Sequence, residues 1–386
     1  CNFISVTGGR GGVGKSVCAA NLAFAIAVEL RVPVLLVDCD NRTCGDQNII
    51  TGLAPVKTIY ELTTYTGSIA PQAFDSLFAK HPVGVHYLAA VKSPGETLNV
   101  NAESAVKQLE ELSKSFKFIV GDLGSDLGPL QKSLIDASTA LLLVTSPDVL
   151  TINQTIKVIN EMLAMAVPLD MIQLVVNRAN QPLGLDAKTI AQNLRLNLIG
   201  VINQDDGLFI GSVQRQQPVV LSAAGTSYAT SFHEIVRRLT GGVLQRLKSL
   251  SRPVAKPIAD TGGMSSDPSQ DPRVRLKLRI LNELIAKMDL KNGIAQTGKD
   301  PEKERMLEEK TRQQISLLVD KEAAGVSRDE RAKLIKEILD ESLKLGPLED
   351  LLKDDAVTEI MVNGFAKIFV EKSGKLSLSP IIFTSN

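Results

Sequence analysis

The sequence has no excess of either charge. Its 43 Lys and Arg stand against 43 Asp and Glu, so no global field draws the 386-residue chain to nucleic acid or to an anionic membrane, and such a partner would be met through a local patch. It is also poor in cysteine. Cys1, Cys18, Cys39 and Cys44 show neither the CxxC spacing of a zinc site nor a disulfide framework, which suits a reducing, cytoplasmic setting. His81, His86 and His233 are too scattered for a metal centre. No run approaches the roughly 20 apolar residues of a spanning helix, no signal-peptide pattern opens the chain, and no internal repeat stands out. What is there is ordinary: 44% hydrophobic and 22% charged residues describe a folded globular chain, and this length suggests two or three domains. A chain that starts at Cys1 without Met is expected to be part of a longer polypeptide.

From residue 1 to about 250, short β-branched runs alternate with helical patterns. Strands are expected at 3–6, 33–37, 85–88, 118–120, 140–144, 172–176 and 198–202. Nearly all are continuously apolar, as strands covered on both faces must be, which predicts an α/β fold with a doubly wound, mostly parallel sheet. Residues 251–272, rich in Pro, Gly, Ser and Asp, read as a flexible linker. Residues 273–343 are Lys/Glu/Leu-rich with helical spacing, Leu334, Ile335, Ile338 and Leu339 sharing one face, and Gly346-Pro347 stops that run. Short strands are expected at 358–362, 367–370 and 375–378, with Ser373-Gly374 as a turn. The chain thus reads as a domain at 1–250, a linker, a helical region and, at 344–386, the start of a small α+β domain.

Gly9-Arg10-Gly11-Gly12-Val13-Gly14-Lys15-Ser16 matches GxxxxGK[ST] between an apolar strand and a small-residue helix that begins at Val17, the context in which such a loop binds phosphate. Its glycines let backbone amides turn inward around phosphate oxygens, and the helix terminus adds a positive dipole end. Lys15 is expected to reach the β and γ phosphates of ATP and Ser16 to ligate Mg2+. Asp122 ends the run Phe118-Ile119-Val120-Gly121, where a carboxylate orders the Mg2+ shell. Asp38 and Asp40 follow the second strand. All three lie where parallel strands end, the edge at which open α/β sheets bind ligands; a helix cap is the plainer reading of one such Asp, but three together beside a phosphate loop favour function.

GGRGGVGKS, then VLLVDCDNRTCGD, then FIVGDLGSDLGPL, resembles the deviant Walker A group of the MinD/ParA ATPases over residues 1 to about 240, specifically its TadZ/CpaE pilus-assembly branch. The resemblance implies an ATP-dependent homodimer in which a basic residue of the loop reaches the partner's phosphates. Arg10 stands here where the group usually has Lys, and it keeps the charge while adding a bidentate fork. The alternative is an exposed Arg that only neighbours its own phosphate. The resemblance also makes Asp40 the residue that positions attacking water, places Asp38 near the metal shell, and gives Asn177-Arg178 the adenine edge; a turn former after a strand is the plainer reading of Asn177. Some members of this branch have degraded loops, whereas Lys15 keeps this one intact.

LGPLEDLL at 345–352, VTEIMVNG at 357–364 and IFVEKSGKL at 368–376 resemble the amino-terminal domain of the TadA/CpaF secretion ATPases. The two resemblances together imply a dimer switch that localises or regulates a Tad/type IV pilus secretion motor, with that motor and inner-membrane platform proteins as partners, peripheral at the inner membrane or cell pole. A ParA-like partition ATPase acting on DNA is the alternative, made unlikely by the carboxyl-terminal motifs, and a scaffold that holds ATP without turnover is another. Arg237, Arg238, Arg246, Lys248 and Arg252 interleave with apolar residues over 232–252. That pattern suits a membrane-surface helix, but more simply a last helix packing its apolar face. Leu98, Leu109 and Leu112 read as core.

Overall fold

The computed structural model describes residues 1–40, 45–63, 73–93, 96, 100–181, 184–251, 272–288, 301–322, 326–343, 357–362, 368–372 and 375–378. Cys44, Leu98, Arg252, most of the expected linker, the Gly346-Pro347 stop, Asn363-Gly364 and the Ser373-Gly374 turn lie outside them. Contacts divide the chain into two units, residues 1–159 with 169–248, and residues 160–168 with 249–386.

In the first unit the apolar runs become an eight-stranded sheet: β1 (Asn2–Thr7), β2 (Val34–Asp38), β3 (Ala79–Lys80), β4 (Val85–Ala89), β5 (Phe118–Asp122), β6 (Ala140–Thr145), β7 (Ile172–Asn177) and β8 (Asn197–Ile202). Their order across the sheet is β3-β4-β2-β5-β1-β6-β7-β8. The neighbouring pairs are parallel except β3 with β4, which is antiparallel. The seven expected strands form within a residue or two of their bounds. The edge strand β3 is added by pairing of Ala79 with Tyr87 and Lys80 with His86, a two-residue stretch too short to carry a period.

The helices are α1 (Lys15–Leu30), α2 (Asp46–Thr51), α3 (Ile59–Leu62), α4 (Phe74–Leu77), α5 (Ala102–Leu112), α6 (Pro129–Ala137), α7 (Val149–Ala164), α8 (Ala187–Leu194), α9 (Asp206–Gln214), α10 (Val219–Ser222), α11 (Ser227–Arg238) and α12 (Leu244–Ser251). α1 is apolar nearly all round because it has neighbours on several sides. Its alanines Ala19, Ala20, Ala23, Ala25 and Ala27 are all buried, and it packs on β1, β2 and β5 as well as on α10 and α11. Asn21, buried in that helix, accepts a hydrogen bond from the Val220 amide at 3.1 Å and ties α1 to α10. Leu109 and Leu112 are buried as expected.

In the second unit, α13 (Pro272–Lys287), α14 (Pro301–Glu322) and α15 (Arg328–Leu343) surround Ile280, Leu284, Ile315, Leu318, Val319, Leu334, Ile335, Ile338 and Leu339. The face read from the spacing of the last four residues is the buried one. Arg331 is buried with them, paired to Asp320 at 2.6 Å and donating to the Ser316 carbonyl and hydroxyl at 3.0 and 2.6 Å. β9 (Val357–Val362), β10 (Ile368–Lys372) and β11 (Lys375–Leu378) pair antiparallel in a three-stranded sheet.

Candidate functional site

β2, β5 and β1 are neighbours, and Asp38 and Val6 both stand opposite Asp122 in the register. The loops after these three strands therefore leave the sheet at one place. The loop after β1 runs into α1 through Gly14, whose φ of 94° is open to glycine at little cost. A side chain there would also collide with the Asn177 carboxamide. Asn177, the last residue of β7, donates from Nδ2 to the Val13 carbonyl at 2.8 Å and pins the loop from across the sheet edge. No side chain caps the start of α1, so its first amides stay open to an anion.

Lys15 is buried, and its Nζ donates to the Arg10 carbonyl at 2.9 Å, so the lysine spans the loop it belongs to. Burial lowers its pKa, against the pull of the Asp122 and Asp40 carboxylates. Beneath it, Asp38 is pushed up to about 7, first by burial and next by the charge of Asp122, while the Gly45 and Asp40 amides, at 3.1 and 3.2 Å, act against the shift. The Tyr87 hydroxyl donates to the same carboxylate at 3.4 Å. Asp122 is fully buried and also raised by that burial, although hydrogen bonds from Gln47 and Ser16 oppose the rise. Two buried carboxylates abut beside a serine hydroxyl. This all-oxygen set fits Mg2+, a hard cation whose charge would relieve the opposition between them.

Asp40 sits against Gly124, where φ is 67° and a Cβ would fall 2.6 Å from the Asp40 carboxyl carbon. Thr7 holds that turn by donating to the Gly124 carbonyl at 2.8 Å. The loop after β5 thus offers Asp40 bare backbone to lie on.

A cleft of about 580 Å³ opens over these groups. Gly11, Gly12, Gly14, Lys15, Ser16, Val17 and Asp40 line its phosphate end, and Asn177, Arg178, Gln204, Asp205, Asp206 and Phe209 line the other. Asp38 and Asp122 lie below it, and Val13 is buried with its carbonyl held by Asn177. Gly9 and Arg10 face an adjoining hollow with Ser125, Asp126, Leu150 and Gln154. Arg10 is exposed there and pairs with Asp148 at 3.4 Å. Burial raises the Asp148 carboxyl, but hydrogen bonds from Ser146 and Thr151 and the Arg10 charge together outweigh it and hold the carboxyl at about 2.

Three contributors escape sequence reasoning. Gln47 carries no motif or period, Gly124 lies within the FIVGDLGSDLGPL motif with nothing to show that Asp40 rests on it, and Asp148 is recognisable only once Arg10 is seen beside it. The stretch 232–252 is not one amphipathic helix, because Gly241 and Gly242 take non-helical angles between α11 and α12. Its Ile235, Val236, Leu239, Leu244 and Leu247 are buried within the unit. The apolar residues thus pack inward, as the simpler reading has it, and are not presented for a membrane surface; Arg237 pairs with Glu29 at 2.9 Å and Arg238 donates to the Ile199 carbonyl at 3.1 Å. Among the described residues no helix is long and apolar enough to cross a membrane.

Residues 4–219 match the profile of the CobQ/CobB/MinD/ParA nucleotide binding domain. The septum site-determining protein MinD of Bacillus subtilis (strain 168) is 25% identical over 253 residues, spanning 62% of this chain and 88% of the relative. A ParA family ATPase from Chlorobium tepidum superposes with a TM-score of 0.57 at 18% identity, covering 61% of this chain and 98% of that one. The MinD protein of Pyrococcus horikoshii, solved with Mg-ADP, superposes with a TM-score of 0.54 at 20% identity over 63% and 98%. At these identities the two superpositions establish a shared fold.

Proposed function

Because the chain belongs to the CobQ/CobB/MinD/ParA nucleotide-binding family, we propose that residues 1–250 form an ATP-binding, ATP-hydrolysing dimer switch that localises or regulates a Tad-type pilus secretion motor. The observation that carries the ATPase reading is the convergence of Lys15, Ser16, Asp38, Asp40 and Asp122 at one sheet edge, under a cleft long enough for a nucleotide. Lys15 would exchange the Arg10 carbonyl for phosphate oxygens. Ser16, Asp38 and Asp122 would hold Mg2+, which when bound neutralises charge on the phosphates. Asp40, seated on Gly124, would orient a water, and Asn177 and Arg178 would bound the nucleoside end. Arg10 is exposed outside the cleft beside Leu150, a position that suits contact with a second copy across paired clefts.

The link to a secretion motor rests on the likeness of the sequence at 345–352, 357–364 and 368–376 to the front of such motors. A second reading, a positional ATPase acting on DNA or at a division site, draws on relatives such as MinD of Bacillus subtilis. It leaves the helices after residue 272 without a task.

Sedimentation of the chain with ADP and with a slowly hydrolysed ATP analogue, alongside phosphate release, tests the proposal. The wild type should dimerise on the analogue alone. Asp40→Ala should keep ATP and the dimer yet lose most turnover. Arg10→Ala should bind ATP nearly normally and stay monomeric, and Arg10→Lys should restore the dimer. Phosphate release raised by a Tad-type motor ATPase supports the first reading, release raised by DNA supports the second, and none under any condition leaves an ATP-bound scaffold.

A further inference from the structure

Gln47, in α2, is fully buried. Its Nε2 donates to the Ser16 carbonyl and to Asp122 Oδ2, each at 2.9 Å. Both partners are acceptors, so the network itself fixes which end of the carboxamide is nitrogen. The other end, Oε1, is closed off from water and has no hydrogen-bond partner among the described residues. Buried acceptors are seldom left this way, and one that is demands a reason. Oε1 is one carbon away from a nitrogen that touches Asp122, and the Ser16 hydroxyl bonds the same carboxylate. An acceptor thus stands ready beside the oxygens that suit Mg2+, an ion that keeps several of its waters when it binds.

We propose that Gln47 is an outer ligand of this metal site: Oε1 accepts a hydrogen bond from a water held by Mg2+, while Nε2 keeps Asp122 turned to the ion. The proposal rests on reading the cleft as a Mg·nucleotide site. It also gives α2 a task, since the helix follows the loop that carries Asp40, and Gln47 ties that loop to the metal.

The test is ADP affinity of the full chain measured with Mg2+ and in EDTA, together with Mn2+ binding followed by electron paramagnetic resonance in the presence of ADP. Gln47→Met, unbranched and of similar volume, should reduce the Mg2+-dependent gain in affinity and the Mn2+ affinity about 10- to 100-fold, with affinity in EDTA unchanged. Gln47→Glu keeps an acceptor but sets a carboxyl oxygen against Asp122 and the Ser16 carbonyl where Nε2 donated, so it should lose the gain as well. Thermal unfolding of Gln47→Met in EDTA, expected close to wild type, guards against a variant that fails to fold. An unchanged gain in a folded Gln47→Met, a loss equal with and without metal, or a full gain in Gln47→Glu overturns the proposal. Wild type that binds neither ADP nor ATP overturns the nucleotide reading with it, whereas wild type with a Mg2+ gain that Gln47→Met preserves overturns the role of Gln47 alone.

Discussion

Arg331 in the carboxyl-terminal helices and Lys15 in the loop after β1 are both cations almost closed off from water, at 3% and 6% exposure. Arg331 is matched in charge: Asp320 lies 2.6 Å away, and one guanidinium nitrogen donates to the Ser316 carbonyl and hydroxyl. Lys15 bonds only a neutral carbonyl, with the Asp122 and Asp40 carboxylates attracting it from nearby, and those carboxylates oppose one another: Asp122 raises Asp38, and Asp40 raises Asp122. A buried charge that finds its opposite within its own fold is part of the architecture. A set of buried charges left opposed, beside a cleft, marks a candidate site for a charged ligand.

The contrast is broken most strongly at Arg331. Arg331→Ala strands Asp320 and should cost about 3–5 kcal/mol of stability in the second unit, read by chemical unfolding, with nucleotide affinity unchanged. Replacing both partners, Arg331→Met with Asp320→Leu, should recover most of that loss. Next comes Lys15→Ala. It should weaken Mg·ATP binding by about 1.5–3 kcal/mol, measured calorimetrically, because a charged hydrogen bond to phosphate is lost, and it should leave the second unit's unfolding as in wild type. Unchanged ATP affinity would remove the phosphate site.

A third test sharpens the contrast in sign. Burial and the charge of Asp122 push Asp38 up to about 7 in the folded protein, against about 3.9 for an unfolded Asp. Between those values the native state holds more protons than the unfolded one, so the nucleotide-free protein should lose stability as pH rises from about 4 to about 7. Asp38→Asn should flatten the part of that slope that Asp38 carries and raise the melting temperature at neutral pH, while Asp122, also raised by burial, keeps its own share. A variant that melts lower at pH 7 would mean that Asp38 is matched in the way Arg331 is.

Strands buried on both faces were legible because each is a bare apolar run with turn residues at its ends, and the GxxxxGK[ST] loop because few sequences combine those glycines with a following small-residue helix. The helical face of Leu334, Ile335, Ile338 and Leu339 was legible for the same reason, a period long enough to count. Gln47 was not, because its meaning lies in a contact with Asp122, 75 residues away. Gly241-Gly242 was readable as a weak point but not as a break, since the apolar spacing of Leu239, Leu244 and Leu247 runs through it. Asn177 could be placed at a strand end, but nothing local shows that its amide turns to Val13.

That last bond bears on how the protein comes to be made. Val13 and Asn177 are 164 residues apart, so the loop's clamp cannot close until β7 has left the ribosome and docked. A nascent chain halted before residue 172 would already carry Lys15, Ser16, Asp38, Asp40, Gln47 and Asp122, every charged or polar group of the phosphate end, yet its loop would lack the clamp and pay again for its order at each encounter with nucleotide. The order of this loop thus arrives late in synthesis, after most strands of the sheet have been made.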